Sequence, residues 1–186
     1  AGVNFRLPLW WLLFPAPGSR SKVVSETGRI GLQPLLSEAI GGRTVSSRDE
    51  RAEFACTFIG KPEKLRLEMI NALESVGIVD KYGAFFHNPV THKQPVASRY
   101  KFVICPENSL YPGYVTEKAL EAWACGAIPL YAGNDSWKDL NDGALLNLQN
   151  FDSMRDFCEA VAHLARDDSR MREMRQTNIL NKPADY

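Results

Sequence analysis

The segment from Tyr100 to Gly133, YKFVICPENSLYPGYVTEKALEAWACGAIPLYAG, constrains the fold more than any other part of the chain. It opens on an apolar run, Phe102–Cys105, of the length of a buried strand. A loop follows that contains Pro106 and Pro112. Thr116–Cys125 then reads as a helix ended by Gly126, and Ile128–Ala132 as a second buried strand. Strand, helix and strand in that order form a parallel βαβ unit. The charged pair Glu117-Lys118 opens the helix beside the loop. In open α/β sheets ligands bind in that crevice, at the carboxyl ends of the strands and often against a helix N-terminus.

The same alternation runs on either side. Phe54–Ile59 reads as a first buried strand. Lys64–Val76 reads as a helix with Leu65, Met69, Leu73 and Val76 on one stripe and Gly77 closing it. Ala84–Phe86 is expected as a short strand and Leu145–Leu148 as another. Asp152–Arg166 carries the cleanest amphipathic pattern, with Met154, Phe157, Cys158, Val161 and Leu164 on one face and Asp152 or Ser153 as cap. A last helix is expected at about Ser169–Gln176. The expected class is α/β, a Rossmann-like parallel sheet with flanking helices. The first 53 residues read as a linker or irregular segment and residues 54–186 as the domain. Within the former, a helical piece is expected near Gln33–Ile40.

Composition narrows the function. The chain has 186 residues with 45% hydrophobic content, enough for one domain with its own core. Twenty-two basic residues balance 22 acidic ones, so no basic excess points to nucleic acid. The apolar run Leu7–Phe14 falls short of the ~20 residues of a membrane span and is bracketed by Pro8 and Pro15. No transmembrane or signal segment is read, and the expected location is cytoplasmic. The run is expected to be a strand or linker packed on the domain, the alternative being an exposed hydrophobic patch left by a missing partner domain, whose Trp10-Trp11 would then favour self-association. Cys56, Cys105, Cys125 and Cys158 are too widely spaced for a metal site and read as buried free thiols. His87 and His92 are expected in a Pro-containing loop and His163 near a helix end, none with a catalytic partner.

Among the residues that carry chemistry, Tyr114 and Lys118 can donate to phosphate oxygens. Glu117 cannot, and suits sugar or ribose hydroxyls. A site that holds both kinds of group points to a nucleotide sugar. Each residue also has a plainer reading: Lys118 as a surface lysine, Glu117 as a complement to the helix dipole, Tyr114 as a packing aromatic. Arg66 reads as part of a solvated helix face with Lys61, Lys64 and Glu68, and Asn108 as a loop-holding side chain. Glu107 follows a buried strand directly and is either a stabiliser of developing positive charge or a structural carboxylate tied to amides. Lys101 is expected to be structural.

Taken together, Tyr100-Lys101-Phe102, Glu107-Asn108-Ser109 and Tyr114-Val115-Thr116-Glu117-Lys118, followed by Gly126, Pro129 and Gly133, closely resemble the signature of the α1,3/α1,4-fucosyltransferase family. The likeness extends less sharply upstream. Gly60–Arg66 with Leu73 resembles the family's helix with a phosphate-binding Arg, Val79-Asp80 with Gly83 and Asn88 its next segment, and Arg6–Trp11 its linker into this domain. Downstream, Phe151 to about Arg166 is similar to its C-terminal helix.

The resemblance implies the donor-binding C-terminal half of a GT-B glycosyltransferase, which transfers L-fucose from GDP-fucose to a sugar hydroxyl with inversion and without a metal. GDP-fucose is then the donor substrate, no further cofactor is expected, and the acceptor is a glycan. Arg66 and Lys118 would hold the diphosphate, Tyr114 the diphosphate or fucose, and Glu117 hydroxyl groups. Glu107 and Asn108 complete the implied substrate-binding set. Family members carry the general base in an N-terminal acceptor domain, which this sequence is expected to lack. The alternative is a GDP-sugar-binding domain without catalysis, with an interaction or regulatory role.

Overall fold

The computed structural model describes residues 51–136 and 138–181. The expectations for residues 1–50, including the Gln33–Ile40 helix and the Trp10-Trp11 surface, lie outside the described residues. Five strands form one sheet: β1 (Glu53–Phe58), β2 (Val79–Tyr82), β3 (Tyr100–Ile104), β4 (Ile128–Tyr131) and β5 (Leu146–Asn147), in the order β2-β1-β3-β4-β5. Every pairing is parallel. The helices are α1 (Lys64–Leu73), α2 (Lys93–Ala97), α3 (Lys118–Ala124), α4 (Met154–Leu164) and α5 (Asp168–Gln176).

Strand side chains alternate between two apolar layers, as the two-residue period of a strand requires. Cys56, Val103, Cys105 and Tyr131 pack with Ala119, Leu120, Ala122 and Trp123 of α3 on one face. Ala55, Phe102, Ile104, Ile128 and Leu130 pack with Met69, Ile70 and Leu73 of α1 and with the inner faces of α4 and α5 on the other. The β1–α1–β2 crossover therefore covers one face and the β3–α3–β4 crossover the opposite one. The chain progresses in opposite directions from β1 and from β3, which are neighbours, so the order reverses between them. This is the topological switch point at which open α/β sheets leave a crevice.

The doubly wound α/β class matches the sequence reading, and several local details do not. Ala84–Phe86 is a 3-10 turn, not a strand. The strand lies just before it, at Val79–Tyr82. It is an edge strand paired only to β1, so its Asp80 and Lys81 are half-buried rather than alternating cleanly with apolar residues. Helix α1 ends at Leu73, short of Val76. Gly77 does not close it: a side chain there would run into the ring of Phe54, so packing explains that glycine. Helix α3 does end on Gly126, at φ 79°, a left-handed conformation that glycine adopts without steric cost. The segment after His92 holds α2, with Pro95 in its first turn, where a missing N–H costs nothing. Ser153, one of the two expected caps of α4, accepts from the Asp156 amide at 3.1 Å. Lys101 Nζ donates to the Ala165 carbonyl at 3.3 Å, tying β3 to the end of α4.

Candidate functional site

An open cavity occupies the switch point. Thr57, Phe58 and Ile59 line it from the end of β1, and Val103, Ile104, Cys105 and Pro106 from the end of β3. Its charged lining is Arg66, Lys93, Glu117, Lys118 and Glu121, contributed by α1, α2 and the first turns of α3. The cations outnumber the carboxylates although the whole chain is neutral.

Arg66 reaches the cavity because α1 buries the stripe Arg66, Met69, Ile70 and Leu73, spaced i, i+3, i+4, i+7. The arginine stands in the buried stripe and is only 7% exposed, so it is not part of a solvated face. Its guanidinium crosses to the exit of β3. Nη2 donates to the Pro106 carbonyl at 3.2 Å and to Asn108 Oδ1, and Nη1 to the Lys61 carbonyl at 3.4 Å. Nε is buried and has no partner among the described residues. A buried guanidinium N–H costs free energy unless something accepts it. An oxyanion at this position would supply that acceptor to the planar guanidinium.

Lys118 is the first residue of α3, with its side chain 21% exposed. Its ammonium donates to Glu107 Oε2 at 3.1 Å and to Thr116 Oγ1 at 2.8 Å. An ammonium carries three N–H groups, so one remains for the cavity. Glu117 Oε1 lies 3.9 Å from the same nitrogen.

Glu107 does not line the cavity; it stands behind it, 3% exposed. Its carboxylate accepts from the Thr116 amide at 2.7 Å, from Thr116 Oγ1 and from Tyr131 Oη at 3.1 Å, besides Lys118. Of the two readings of Glu107, the geometry is that of the structural carboxylate, and it fixes Lys118. Burial, then the neighbouring carboxylate, push the Tyr131 hydroxyl up from its ordinary range, so it stays a donor. Gly133 makes room for this contact, since a side chain there would collide with the Tyr131 ring.

The structure thus brings Arg66, Glu117 and Lys118 to one cavity and puts Asn108 and Glu107 directly against its cations. Asn108 is exposed, and its side chain holds Arg66 rather than its own loop. Tyr114 is half-buried in the Asn108–Val115 loop, does not line the cavity, and its hydroxyl has no hydrogen bond among the described residues. Lys93 and Glu121 line the cavity and were not foreseen; they pair at 3.2 Å across its mouth. The four-residue spacing of Glu117 and Glu121 on one helix was a readable signal for the second carboxylate. Thr116, buried at 6% exposure, is the other unforeseen member.

All four cysteines are buried, and none is in a disulfide bond. Burial raises the Cys56 and Cys105 thiols well above their ordinary value, with carboxylates and other thiols nearby acting in the same direction. His87, His92 and His163 are exposed. Among the described residues, no group of His, Cys, Asp and Glu could hold a metal ion, and no helix is long and apolar enough to cross a membrane.

Comparison with known proteins gives this geometry its context. The model of glycosyltransferase family 10 (fucosyltransferase), C-terminal part, matches residues 48–176. A Homo sapiens 3-galactosyl-N-acetylglucosaminide 4-alpha-L-fucosyltransferase is 33% identical over 116 residues, 59% of this chain and 32% of that relative. A Homo sapiens 4-galactosyl-N-acetylglucosaminide 3-alpha-L-fucosyltransferase is 31% identical over 132 residues, 68% of this chain and 36% of that relative. The chain thus spans about a third of the length of the curated relatives it matches. A crystal structure of an alpha1,3-fucosyltransferase superposes with a TM-score of 0.72 at 24% identity, over 95% of this chain and 56% of the other. One of an alpha1,3-fucosyltransferase with GDP-fucose superposes with a TM-score of 0.69 at 28% identity, over 80% and 45%.

Proposed function

Because the chain belongs to glycosyltransferase family 10, we propose that the switch-point cavity binds the diphosphate of GDP-fucose as the donor site of a fucosyl transfer. The observation that carries this reading is the Arg66 guanidinium. It is buried at the exit of β3, lines the same cavity as Lys118, and keeps its Nε without an acceptor among the described residues. A diphosphate supplies oxygens for Arg66 Nε and for the third N–H of Lys118, and Glu117 accepts from ribose or fucose hydroxyls. Asn108 holds Arg66 in place, and Glu107 holds Lys118. Tyr114, half-buried in the loop before α3, is assigned as a further donor contact.

The chemistry follows from those placements. An acceptor hydroxyl oxygen attacks C1 of fucose on the face opposite the diphosphate. The bond from C1 to the β-phosphate oxygen breaks, and GDP leaves with that electron pair. Cations fixed beside the bridging oxygen stabilise the charge that grows there. Arg66 and Lys118 fill that role, and the configuration at C1 inverts. A general base must take the acceptor proton, and we assign it to a part of the enzyme outside residues 51–181. The acceptor is a glycan hydroxyl on N-acetylglucosamine or glucose; the relatives' names mention galactosyl-N-acetylglucosaminides. Four buried cysteines outside any disulfide support a reducing, cytoplasmic location for this chain. Residues 54–186 act as the donor domain.

Calorimetric titration of the chain with GDP, GDP-fucose and GDP-mannose tests the donor assignment. Binding of GDP-fucose in preference to GDP-mannose is expected. Absence of binding by all three would overturn it, and equal binding of the two sugars would reduce it to a GDP site without fucose selectivity.

A further inference from the structure

Resting on the reading of the cavity as a diphosphate site, we propose that Tyr131 is a positioning residue for it: the Tyr131 hydroxyl, acting through Glu107, sets where Lys118 presents its remaining N–H. Strand β4 is buried along its whole length, and Tyr131 ends it at 0% exposure. The ring belongs to the apolar layer beneath α3. A phenylalanine would fill the same space, so packing does not account for the hydroxyl. A buried hydroxyl costs free energy unless it is bonded. This one donates to Glu107 Oε1 at 3.1 Å, and Glu107 is itself 3% exposed. Gly133 belongs to the same arrangement, because the first atom a side chain there would meet is that hydroxyl. Among the described partners of Glu107, Lys118 is the one that lines the cavity.

The carboxylate meets three uncharged donor groups and one cation. Oε1 takes the Thr116 amide at 2.7 Å and the Tyr131 hydroxyl, and Oε2 takes the Lys118 ammonium at 3.1 Å. Thr116 Oγ1 stands within 2.9 Å of both oxygens. The uncharged donors hold the carboxylate in place without help from Lys118, so the anchor does not shift when the ammonium turns toward an anion. They also draw on the carboxylate's charge, so Glu107 locates the ammonium without cancelling it. Thr116 leads directly into the helix that carries Lys118 and moves with it. Tyr131 comes from a different strand and ties the anchor to the sheet. Burial, then the neighbouring carboxylate, keep the phenol protonated, so the donor persists. Without that hydroxyl the carboxylate pivots about Thr116 and closes on the ammonium. The N–H aimed at the cavity is then lost to it.

The experiment is calorimetric titration of inorganic pyrophosphate and of GDP into the whole chain, Tyr131→Phe, Lys118→Met and the double variant. Tyr131→Phe should weaken both ligands alike by about tenfold, the lower end for loss of one hydrogen bond to a charged group. In the Lys118→Met background the same substitution should change either affinity by less than about twofold, because the two residues act in series. A merely structural role would weaken binding by the same factor in both backgrounds. Gly133→Ala crowds the hydroxyl while leaving every donor present, and carries the same comparison should Tyr131→Phe fail to fold. If pyrophosphate and GDP bind the unsubstituted chain but Tyr131→Phe keeps their affinity, or loses the same factor with and without Lys118, Tyr131 positions nothing and the diphosphate site stands. If neither ligand binds the unsubstituted chain, both readings fall.

Discussion

Replacing Glu107 by Gln isolates the group that fixes Lys118. The side chain keeps its shape, but one oxygen becomes an amide nitrogen. Oε1 faces two donors, the Thr116 amide and the Tyr131 hydroxyl. Oε2 faces Thr116 Oγ1 and the Lys118 ammonium. The amide nitrogen therefore settles at the Oε2 position, where the Thr116 hydroxyl can turn round and accept from it but Lys118 cannot. The loss is the contact to Lys118, a charge-assisted hydrogen bond worth about 1.5–3 kcal/mol. Removing one partner of a fully buried pair costs about 3–5 kcal/mol. The Lys118 side chain is 21% exposed and can turn to water, so the lower range applies. For a chain of this size about 1.5–3 kcal/mol lowers Tm by roughly 3–12 °C. The assay is thermal unfolding of the chain, Glu107→Gln, Lys118→Met and the double variant. The two substitutions should be non-additive by ~1.5 kcal/mol or more. Losses that sum to within ~0.5 kcal/mol would mean independent sites and would refute Glu107 as the anchor of Lys118.

Two further outcomes are expected. Arg66→Ala and Lys118→Ala should each weaken GDP roughly 10- to 150-fold by calorimetry, from the loss of one charged contact; unchanged affinity in both would remove them from the donor site. Cys56 and Cys105 have folded-state pKa values raised above their ordinary 9.0, chiefly by burial. Above that pH the unfolded state releases protons that the folded state retains, so stability is complete below about pH 9 and falls as pH rises further. Substitution of both by Ala should flatten the alkaline limb of a urea-midpoint-against-pH curve, and an unaltered limb would contradict the cause assigned.

The strand–loop–helix–strand core was legible because its apolar runs are buried on both sides of a parallel sheet and need no partner to be recognised. The rest was hidden by specific physical causes. Edge strand β2 carries Asp80 and Lys81, half-buried, and so lacks the pattern of a central strand. Helix α2 is a single five-residue stretch containing Pro95. Arg66 completes a buried stripe that a count of apolar residues alone shifts onto Leu65. Glu107 had two readings because its deciding partners, Thr116 and Tyr131, are brought to it by the β3–β4 register and the return of the loop, not by sequence proximity. The pattern of motif residues did place Arg66, Glu117 and Lys118 in one site; spacing alone gave no measure of which would face the cavity and which would stand behind it.

The reversal of strand order between β1 and β3 also bears on how such a site diverges. The crossovers from these two strands leave toward opposite layers, so the cavity mouth is bounded by the ends of connections rather than roofed by one. Two connections that lead into its walls, Gly83–His92 before α2 and Ser109–Val115 before α3, lie outside the named strands and their parallel ladders. Insertions, deletions or exchanges in those two connections can reshape what the mouth admits without removing a ladder hydrogen bond. The wall that carries Arg66 and Lys118, built on α1 and the start of α3, has no such freedom. A lineage built on this plan would keep the Arg66–Lys118 wall constant while the connections around the mouth drift.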